Sequence, residues 1–143
     1  MANFLDRYTT DRNAEDLGQW VDYGDGLEIQ MRRLNCQKSK DVRRKLEKPY
    51  AKQFRGQDMP DDIQEKLLNM QISKAIVVDW KGVPNPDSPE EMLPCTEDNV
   101  LMMVQKFPDF RDDILAASME RATFQREELK AAEGNSKSSS AGS

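Results

Sequence analysis

A tight glycine-rich turn beside an alternating segment is the feature that most constrains how this chain can fold. Gly24-Asp25-Gly26 supplies residues that adopt positive φ at low cost, as a short hairpin turn requires. After the turn, Leu27, Ile29 and Met31 alternate with polar residues, which is the period of a half-buried strand. This pattern predicts a β-hairpin over 18–34. Because an isolated hairpin is only marginally stable in water, it must pack on helices or on the sheet of another copy.

Apolar residues at helical spacing predict about four helices after the hairpin. Residues that favour the start of a helix occur at four places, at Ser39 and Thr96 and near Pro60 and Pro108. Together with the apolar spacing, they predict helices over about 39–55, 60–80, 97–107 and 108–132. Ile76-Val77-Val78 favours a strand locally, but the periodicity continues from Ile63, so the second helix is extended to 80. Four prolines between Val83 and Cys95 predict an extended, stiff loop. The expected fold class is mainly α with an N-terminal β-hairpin (α+β), a small helical domain of about four helices.

Composition divides the chain into three parts. Residues 1–16 form a polar N-terminal arm, with a helical turn expected near Phe4 and Leu5. Residues 17–132 form a single domain that holds the hairpin and the helices. Residues 133–143 are rich in Ser and Gly and have too little apolar surface to fold, so we predict a flexible C-terminal tail.

Charge is segregated along the chain, although the net charge is only −5. Residues 32–55 carry ten basic and two acidic side chains, a net charge of +8, whereas the remainder carries −13. A basic block of this kind can bind phosphate backbones, dock on the acidic part of its own fold or contact a neighbouring copy. Its aromatic residues are Tyr50 and, at its edge, Phe54, so it lacks the stacking platform of single-strand binders. We therefore favour a solvated or self-associating face over nucleic-acid binding.

Residue types exclude several classes of function. The chain has no histidine, which excludes His-based catalysis and His-ligated metal sites. Cys36 and Cys95 lie 59 residues apart, outside zinc-ligand spacing, and are interpreted as reduced thiols. Adjacent carboxylates such as Asp61 and Asp62 point to different sides of a helix, and no Gly-rich phosphate loop occurs. We therefore expect no enzyme activity, no cofactor and no metal.

Hydropathy gives no indication of a membrane partner. No apolar run approaches the roughly 20 residues that span a bilayer as a helix. The first ten residues also lack the apolar region of a secretory signal. We therefore expect a protein of the cytoplasm that has no membrane contact.

Three groups of residues occur in an order that is similar to that of a known family. The first group is Gly18-Gln19-Trp20-Val21-Asp22-Tyr23, Leu27-Glu28-Ile29 and Arg33-Leu34-Asn35, and the second is Lys48-Pro49-Tyr50. The third group comprises Ala75, Trp80-Lys81-Gly82, Ser88-Pro89-Glu90, Phe107-Pro108-Asp109 and Phe124. Over residues 18–124, the order and spacing of these groups resemble the tail assembly chaperones of long-tailed (siphovirus-type) bacteriophages.

The resemblance implies a non-enzymatic assembly factor. Such a chaperone binds the helical tape measure protein and keeps it soluble while the tail tube is built around it. It is released as tube subunits polymerise, which implies a location in the host cytoplasm during assembly and absence from the mature virion. The resemblance also implies self-association, with the major tail (tube) protein as a further partner. Two alternatives stay open: a small structural head–tail or tail component, and a nonspecific nucleic-acid-binding protein that acts through residues 32–55.

Basic and methionine side chains define a candidate surface for self-association or partner binding. Basic side chains within 32–55 can contact the acidic part of another copy. Methionine adapts to irregular apolar partners, as a chaperone surface requires. The candidate residues are Arg32, Arg33, Arg43, Arg44, Lys48, Met102 and Met103.

Overall fold

A three-stranded antiparallel sheet forms the centre of the fold. The computed structural model describes residues 3–125. Strands β1 (Gln19–Gly24), β2 (Leu27–Met31) and β3 (Val77–Lys81) pair in the order β1–β2–β3. Ile29 on β2 lies opposite Val21 on β1 and opposite Trp80 on β3. The predicted hairpin is therefore present, and its second strand is covered on both edges within one chain.

The expected fold class, mainly α with one N-terminal hairpin and about four helices, is wrong. Within residues 3–125 the structure has five strands in two sheets. The helix predicted over 60–80 is α4 (Asp61–Gln71) followed by a π-helical turn (Ile72–Ile76), after which the chain becomes β3. The β-branched residues Val77 and Val78 fit a pleated strand, and pairing with β2 satisfies backbone groups that a lone hairpin would leave at its edge.

The segment predicted as an extended proline loop also contains strands. β4 (Pro84–Asn85) and β5 (Ser88–Met92) form a two-stranded antiparallel sheet. Proline is tolerated there because each strand has a free edge that needs no backbone N–H. The backbone N–H of Leu93 donates to the Val83 carbonyl at 2.8 Å, which closes the base of this small sheet beside β3.

Three longer helices complete the domain: α3 (Gln37–Ala51), α5 (Glu97–Lys106) and α6 (Pro108–Met119). The Thr96 hydroxyl accepts a hydrogen bond from the Asn99 N–H at 3.1 Å, which confirms the predicted start of α5. Ser39 does not cap α3. It is buried inside the helix, where its hydroxyl accepts a hydrogen bond from the Gln71 amide at 2.8 Å.

The helix predicted over 108–132 ends earlier than expected. α6 ends at Met119, Glu120 adopts an extended conformation, and residues Arg121–Phe124 form a 3-10 turn. The extended residue redirects the chain so that Phe124 is fully buried in the core. Residues 126–132 of the predicted helix and the predicted tail over 133–143 lie outside the described residues.

The core joins the central sheet to the helices that follow it. Its fully buried side chains come from β2, the π-helical turn, α5, α6 and the 3-10 turn, and they are Ile29, Met31, Ile72, Ile76, Val104, Ile114 and Phe124. Across residues 3–125, no helix combines the length and the hydropathy needed to cross a membrane. Before the sheet, the N-terminal arm forms two short helices, α1 (Phe4–Tyr8) and α2 (Arg12–Leu17). The first of them contains the helical turn predicted at Phe4 and Leu5.

Candidate partner-binding surfaces

An apolar groove of about 420 Å³ opens where the hairpin turn meets the corner between α5 and α6. Val83 and Met103 are buried and form its floor, whereas Phe107 at its edge is 41% exposed. Pro84 is also exposed and Leu27 is half-buried, so the groove leaves apolar side chains open to solvent, which is a common mark of a binding surface. The residues that line the groove are Leu27, Gly82, Val83, Pro84, Met103, Phe107, Asp109, Phe110 and Asp113.

Gly82 lets the turn after β3 lie directly on the hairpin turn. Its φ is +76°, a left-handed conformation that favours glycine. A Cβ at this position would collide with the Gly26 carbonyl and crowd the backbone of Leu27. The close approach of these two backbones is what brings Leu27 and Val83 to the same wall of the groove.

The corner between α5 and α6 supplies the opposite wall. The Phe107 N–H donates to the Met103 carbonyl at 2.9 Å and closes the last turn of α5. Pro108 then begins α6, where its missing N–H costs nothing. Met103 and Phe107 stand one helical turn apart and therefore share a side of the corner. Phe110, in the first turn of α6, faces the same groove.

The buried side chain of Trp80 packs against this wall of the groove. Its indole N–H donates to the Leu93 carbonyl at 2.7 Å, and its ring centroid lies 6.5 Å from that of Phe110 in a tilted arrangement. A buried indole with its donor satisfied and its ring against another aromatic is a rigid support. The position of Phe110 in the groove is therefore set by the core.

The rim of the groove is acidic. Asp109 and Asp113 are exposed and lie one helical turn apart on α6. The Tyr23 hydroxyl donates to the backbone carbonyl of Asp113 at 3.2 Å, so the end of β1 contacts this rim. Burial, and secondly the charge of Asp113, raises the pKa of Tyr23 above its ordinary value, so the phenol stays neutral. An apolar floor with a negative rim suits an apolar segment flanked by Lys or Arg.

A second candidate surface is the exposed basic face of α3. Two ion pairs lie on this helix, Arg43 with Glu47 at 2.7 Å and Arg44 with Asp41 at 3.5 Å. Pairs of this kind contribute little to stability because water screens them. The exposed basic side chains of α3 are Lys38, Lys40, Arg44, Lys45 and Lys48, and the exposed Lys52 follows the last residue of the helix.

Two of the predicted candidate residues are used inside the fold. The Arg32 guanidinium donates to the Asp16 carbonyl at 2.7 Å and to the Ala75 carbonyl at 3.1 Å. Arg33 pairs with Glu15 at 2.9 Å and lies over the Phe124 ring, 5.8 Å from its centroid. These contacts tie the strand-to-helix connection to the arm and to the π-helical turn, and they remove two cations from the basic surface.

The other predicted candidates divide between two places. Arg43, Arg44 and Lys48 lie on α3, with Arg43 half-buried against Glu47. Met103 lies in the floor of the groove, and Met102 is half-buried on α5. The structure therefore brings Met103 to an apolar surface and the α3 cations to a separate, basic one.

Sequence reasoning did not identify Leu27, Val83, Phe107 and Phe110 as groove residues. Two local signals indicate Val83 and Phe107. Gly82-Val83-Pro84 marks a turn after a strand, and Phe107-Pro108 marks a corner between two helices. Tertiary packing determines where the large apolar side chains beside such turns lie. Helical or strand periodicity in the sequence therefore does not predict their positions.

Neither cysteine offers reactive chemistry. Both thiols are free, and Cys36 is buried. Burial, and secondly the nearby Asp79 carboxylate, raises the pKa of Cys95 to about 11. The thiol of Cys95 is therefore protonated at neutral pH and is a poor nucleophile.

The comparisons with known proteins establish a phage origin. The sequence profile of a family described as YdaY prophage protein matches residues 34–135, more than two thirds of the chain. The protein is thus phage-derived, and it belongs to the YdaY prophage protein family. Among curated proteins no significant match was found. Among solved structures there was likewise no significant match.

Proposed function

We propose that this protein is a tail assembly chaperone that binds the tape measure protein of its phage and keeps it soluble during tail tube assembly. In this proposal it acts without catalysis in the host cytoplasm, leaves as tube subunits polymerise and is absent from the mature particle. Membership of a prophage protein family supports the phage setting. The resemblance over residues 18–124 supports the more specific role, because Gly82 and Phe107, two of the residues that carry it, line the groove.

The observation that carries the proposal is the apolar groove with its acidic rim. A tape measure chaperone must cover apolar helical stripes that would otherwise aggregate. Phe107 is exposed, and Leu27 and Phe110 are half-buried above the buried floor, so the groove offers apolar surface to a partner. Asp109 and Asp113 would favour apolar stripes of the partner that are flanked by basic residues and disfavour stripes that are flanked by acidic residues.

The size of the groove fits reversible binding. A contact confined to about 420 Å³ engages few partner side chains, so each copy binds modestly. A long helical partner offers many such sites, and several copies together shield its length. Weak individual contacts allow tube subunits to displace the copies one after another.

Co-expression tests this proposal with one groove variant and one matched control. The tape measure protein of the same phage is produced alone, with the wild-type chain, with Phe107→Asp and with Met119→Asp. Asp at position 107 occupies the N-cap of α6, a position that favours Asp, and it places a charge in the groove; because the same residue is the C-cap of α5, thermal melting verifies that the variant is folded. Met119 is 56% exposed on the same helix and lies outside the groove.

We expect the wild-type chain and Met119→Asp to keep the partner in the soluble fraction. We expect Phe107→Asp to lose about 2 kcal/mol of binding free energy, roughly a 30-fold weaker affinity, and to leave most of the partner insoluble. The proposal fails if the tape measure protein is equally soluble with and without this chain. If Phe107→Asp and Met119→Asp keep the tape measure protein equally soluble, the groove is not its binding site.

A further inference from the structure

The side of α3 that faces solvent is strongly basic. Ser39, which accepts a hydrogen bond from Gln71, and Tyr50, whose hydroxyl accepts one from Lys66 at 3.3 Å, mark the side that packs on α4. At 3.6 residues per turn, the exposed cations fall on the opposite half of the helix surface. These residues, the basic face, are Lys38, Lys40, Arg44, Lys45, Lys48 and Lys52.

One acidic residue lies within the basic face. Asp41 is half-buried, accepts a hydrogen bond from the Gln37 amide at 2.8 Å and pairs with Arg44 at 3.5 Å. Six cations and this one carboxylate leave the face with a net charge of +5. Within residues 3–125, no ion pair engages any of the five lysines of the face. Their charges are therefore free to attract an anionic partner.

Acidic residues of neighbouring elements do not cancel this charge. Lys40 borders a polar cleft that is also lined by two cations and two anions, Arg12, Arg33, Glu15 and Asp16. That cleft adds no net charge to the face. On α4, Asp61 and Glu65 line a separate cleft together with Arg43, which lies toward the packed side of α3.

The residue types of the face favour phosphate over an acidic protein surface. Protein interfaces obtain most of their binding energy from buried aromatic and apolar anchors. Among the exposed residues of α3, none is aromatic or a large aliphatic residue. Lysine supplies point charges, whereas the forked guanidinium of arginine is the better match for a carboxylate. Binding to a phosphate backbone needs no apolar anchor, because released counterions supply the free energy.

The form of the nucleic acid follows from the same residues. Single-strand binders stack bases on aromatic side chains, and Tyr50 is turned toward α4. The missing stacking platform argues against single strands but not against a duplex. The cations form two rows, one with Lys40, Arg44 and Lys48 and the other with Lys38, Lys45 and Lys52. The two rows lie roughly 100° apart around the helix axis.

We propose that the basic face of α3 binds duplex DNA, with the helix in the major groove and each row of cations facing the phosphates of one strand. The major groove of B-DNA is about 12 Å wide and admits an α-helix, whereas that of duplex RNA is too narrow. Phosphate contacts carry no sequence information, so binding has no sequence preference. The basic face is separate from the apolar groove, and the inference does not rest on the proposed function.

The binding is strongly dependent on salt. The chain as a whole has a net charge of −5, so attraction to DNA comes from this face and not from the overall charge. About five phosphate contacts give a slope of roughly −4.5 for the logarithm of affinity against the logarithm of salt concentration. An increase from about 50 to about 150 mM salt should then weaken binding roughly 100-fold.

Fluorescence anisotropy of a labelled duplex tests the inference with the purified full chain. The DNA has mixed sequence and about 20 base pairs, roughly two helical turns. The double variant Lys45→Gln/Lys48→Gln removes one charge from each row. The control, Lys81→Gln/Lys106→Gln, removes two exposed lysines that lie outside α3. Circular dichroism and thermal melting verify that both variants are folded.

We expect the wild-type chain and the control to bind DNA with the same affinity and the same salt dependence. At about 50 mM salt, Lys45→Gln/Lys48→Gln should bind roughly 30-fold more weakly, and its salt slope should be smaller in magnitude by about 2. A duplex RNA of the same length should bind at least about tenfold more weakly than the DNA, because its major groove does not admit the helix.

The inference is overturned if the wild-type chain does not bind DNA at about 50 mM salt or if the face variant binds as tightly as the control. Equal affinity for duplex RNA would exclude docking in the major groove. Equal affinity for poly-glutamate would assign the face to acidic protein segments instead of DNA. A chain that fails to bind DNA but solubilises the tape measure protein would reject this inference and leave the proposed function intact.

Discussion

Replacing Gly82 with alanine is expected to lower the free energy of unfolding by about 3 kcal/mol. A non-glycine residue in the left-handed region costs roughly 1–2 kcal/mol. The new Cβ also meets the Gly26 carbonyl and the Leu27 backbone, and such overpacking typically costs another ~1–3 kcal/mol. Urea denaturation followed by circular dichroism measures the change.

Gly56→Ala is the matched control for this prediction. Gly56 also has a positive φ, +67°, but a Cβ there would meet no atom within 4 Å. Gly56→Ala should therefore lower the free energy of unfolding only by the cost of the left-handed backbone conformation, roughly 1–2 kcal/mol. If the two alanine variants lose the same stability, the two turns do not approach as closely as described, and the wall of the groove is placed incorrectly.

Truncation of Phe124 to alanine is expected to cost about 3–5 kcal/mol of stability, the range measured for large aromatic residues in cores. Its side chain is fully buried, the Arg33 guanidinium lies over its ring, and its carbonyl accepts the Asp11 N–H. The variant should also loosen the arm, so the Asp11 amide should exchange its hydrogen faster relative to global unfolding.

Phe124→Leu keeps most of the buried volume and should cost less than about 1.5 kcal/mol. Denaturant melts of both variants, together with hydrogen exchange at Asp11, separate loss of packing from loss of the anchor. A Phe124→Ala variant as stable as the wild type would show that the residue is not in the core. Unchanged exchange at Asp11 would show that the arm is anchored elsewhere.

Local chemistry explains which elements were predictable. The hairpin follows from Gly24-Asp25-Gly26 and the alternation after it, and the start of α5 follows from the Thr96 cap. These signals act within a few residues. β3 was missed because its partner, β2, lies about 50 residues earlier in the chain. The strand preference of Ile76-Val77-Val78 was visible, but the helical periodicity that continues from Ile63 gave the wrong prediction.

The candidate surfaces were predictable only in part. Exposed cations on α3 follow from helical spacing, and Met103 was identified from its residue type. Arg32 and Arg33 were counted as surface charges, yet backbone carbonyls, Glu15 and the Phe124 ring engage them. The groove itself depends on contact between turns that are more than 50 residues apart in sequence, which no local pattern encodes.

Site-specific photocrosslinking detects directly whether the tape measure protein binds in the groove. A photoreactive amino acid is placed at position 107 in one sample and at position 48, on the basic face of α3, in another. Each variant is produced together with the tape measure protein of the same phage, and adducts are mapped by mass spectrometry. We expect position 107 to yield adducts with apolar segments of the tape measure protein that are flanked by Lys or Arg, in clear excess over position 48. Absence of tape measure adducts at position 107, or equal yields from both positions, would show that the tape measure protein does not bind in the groove.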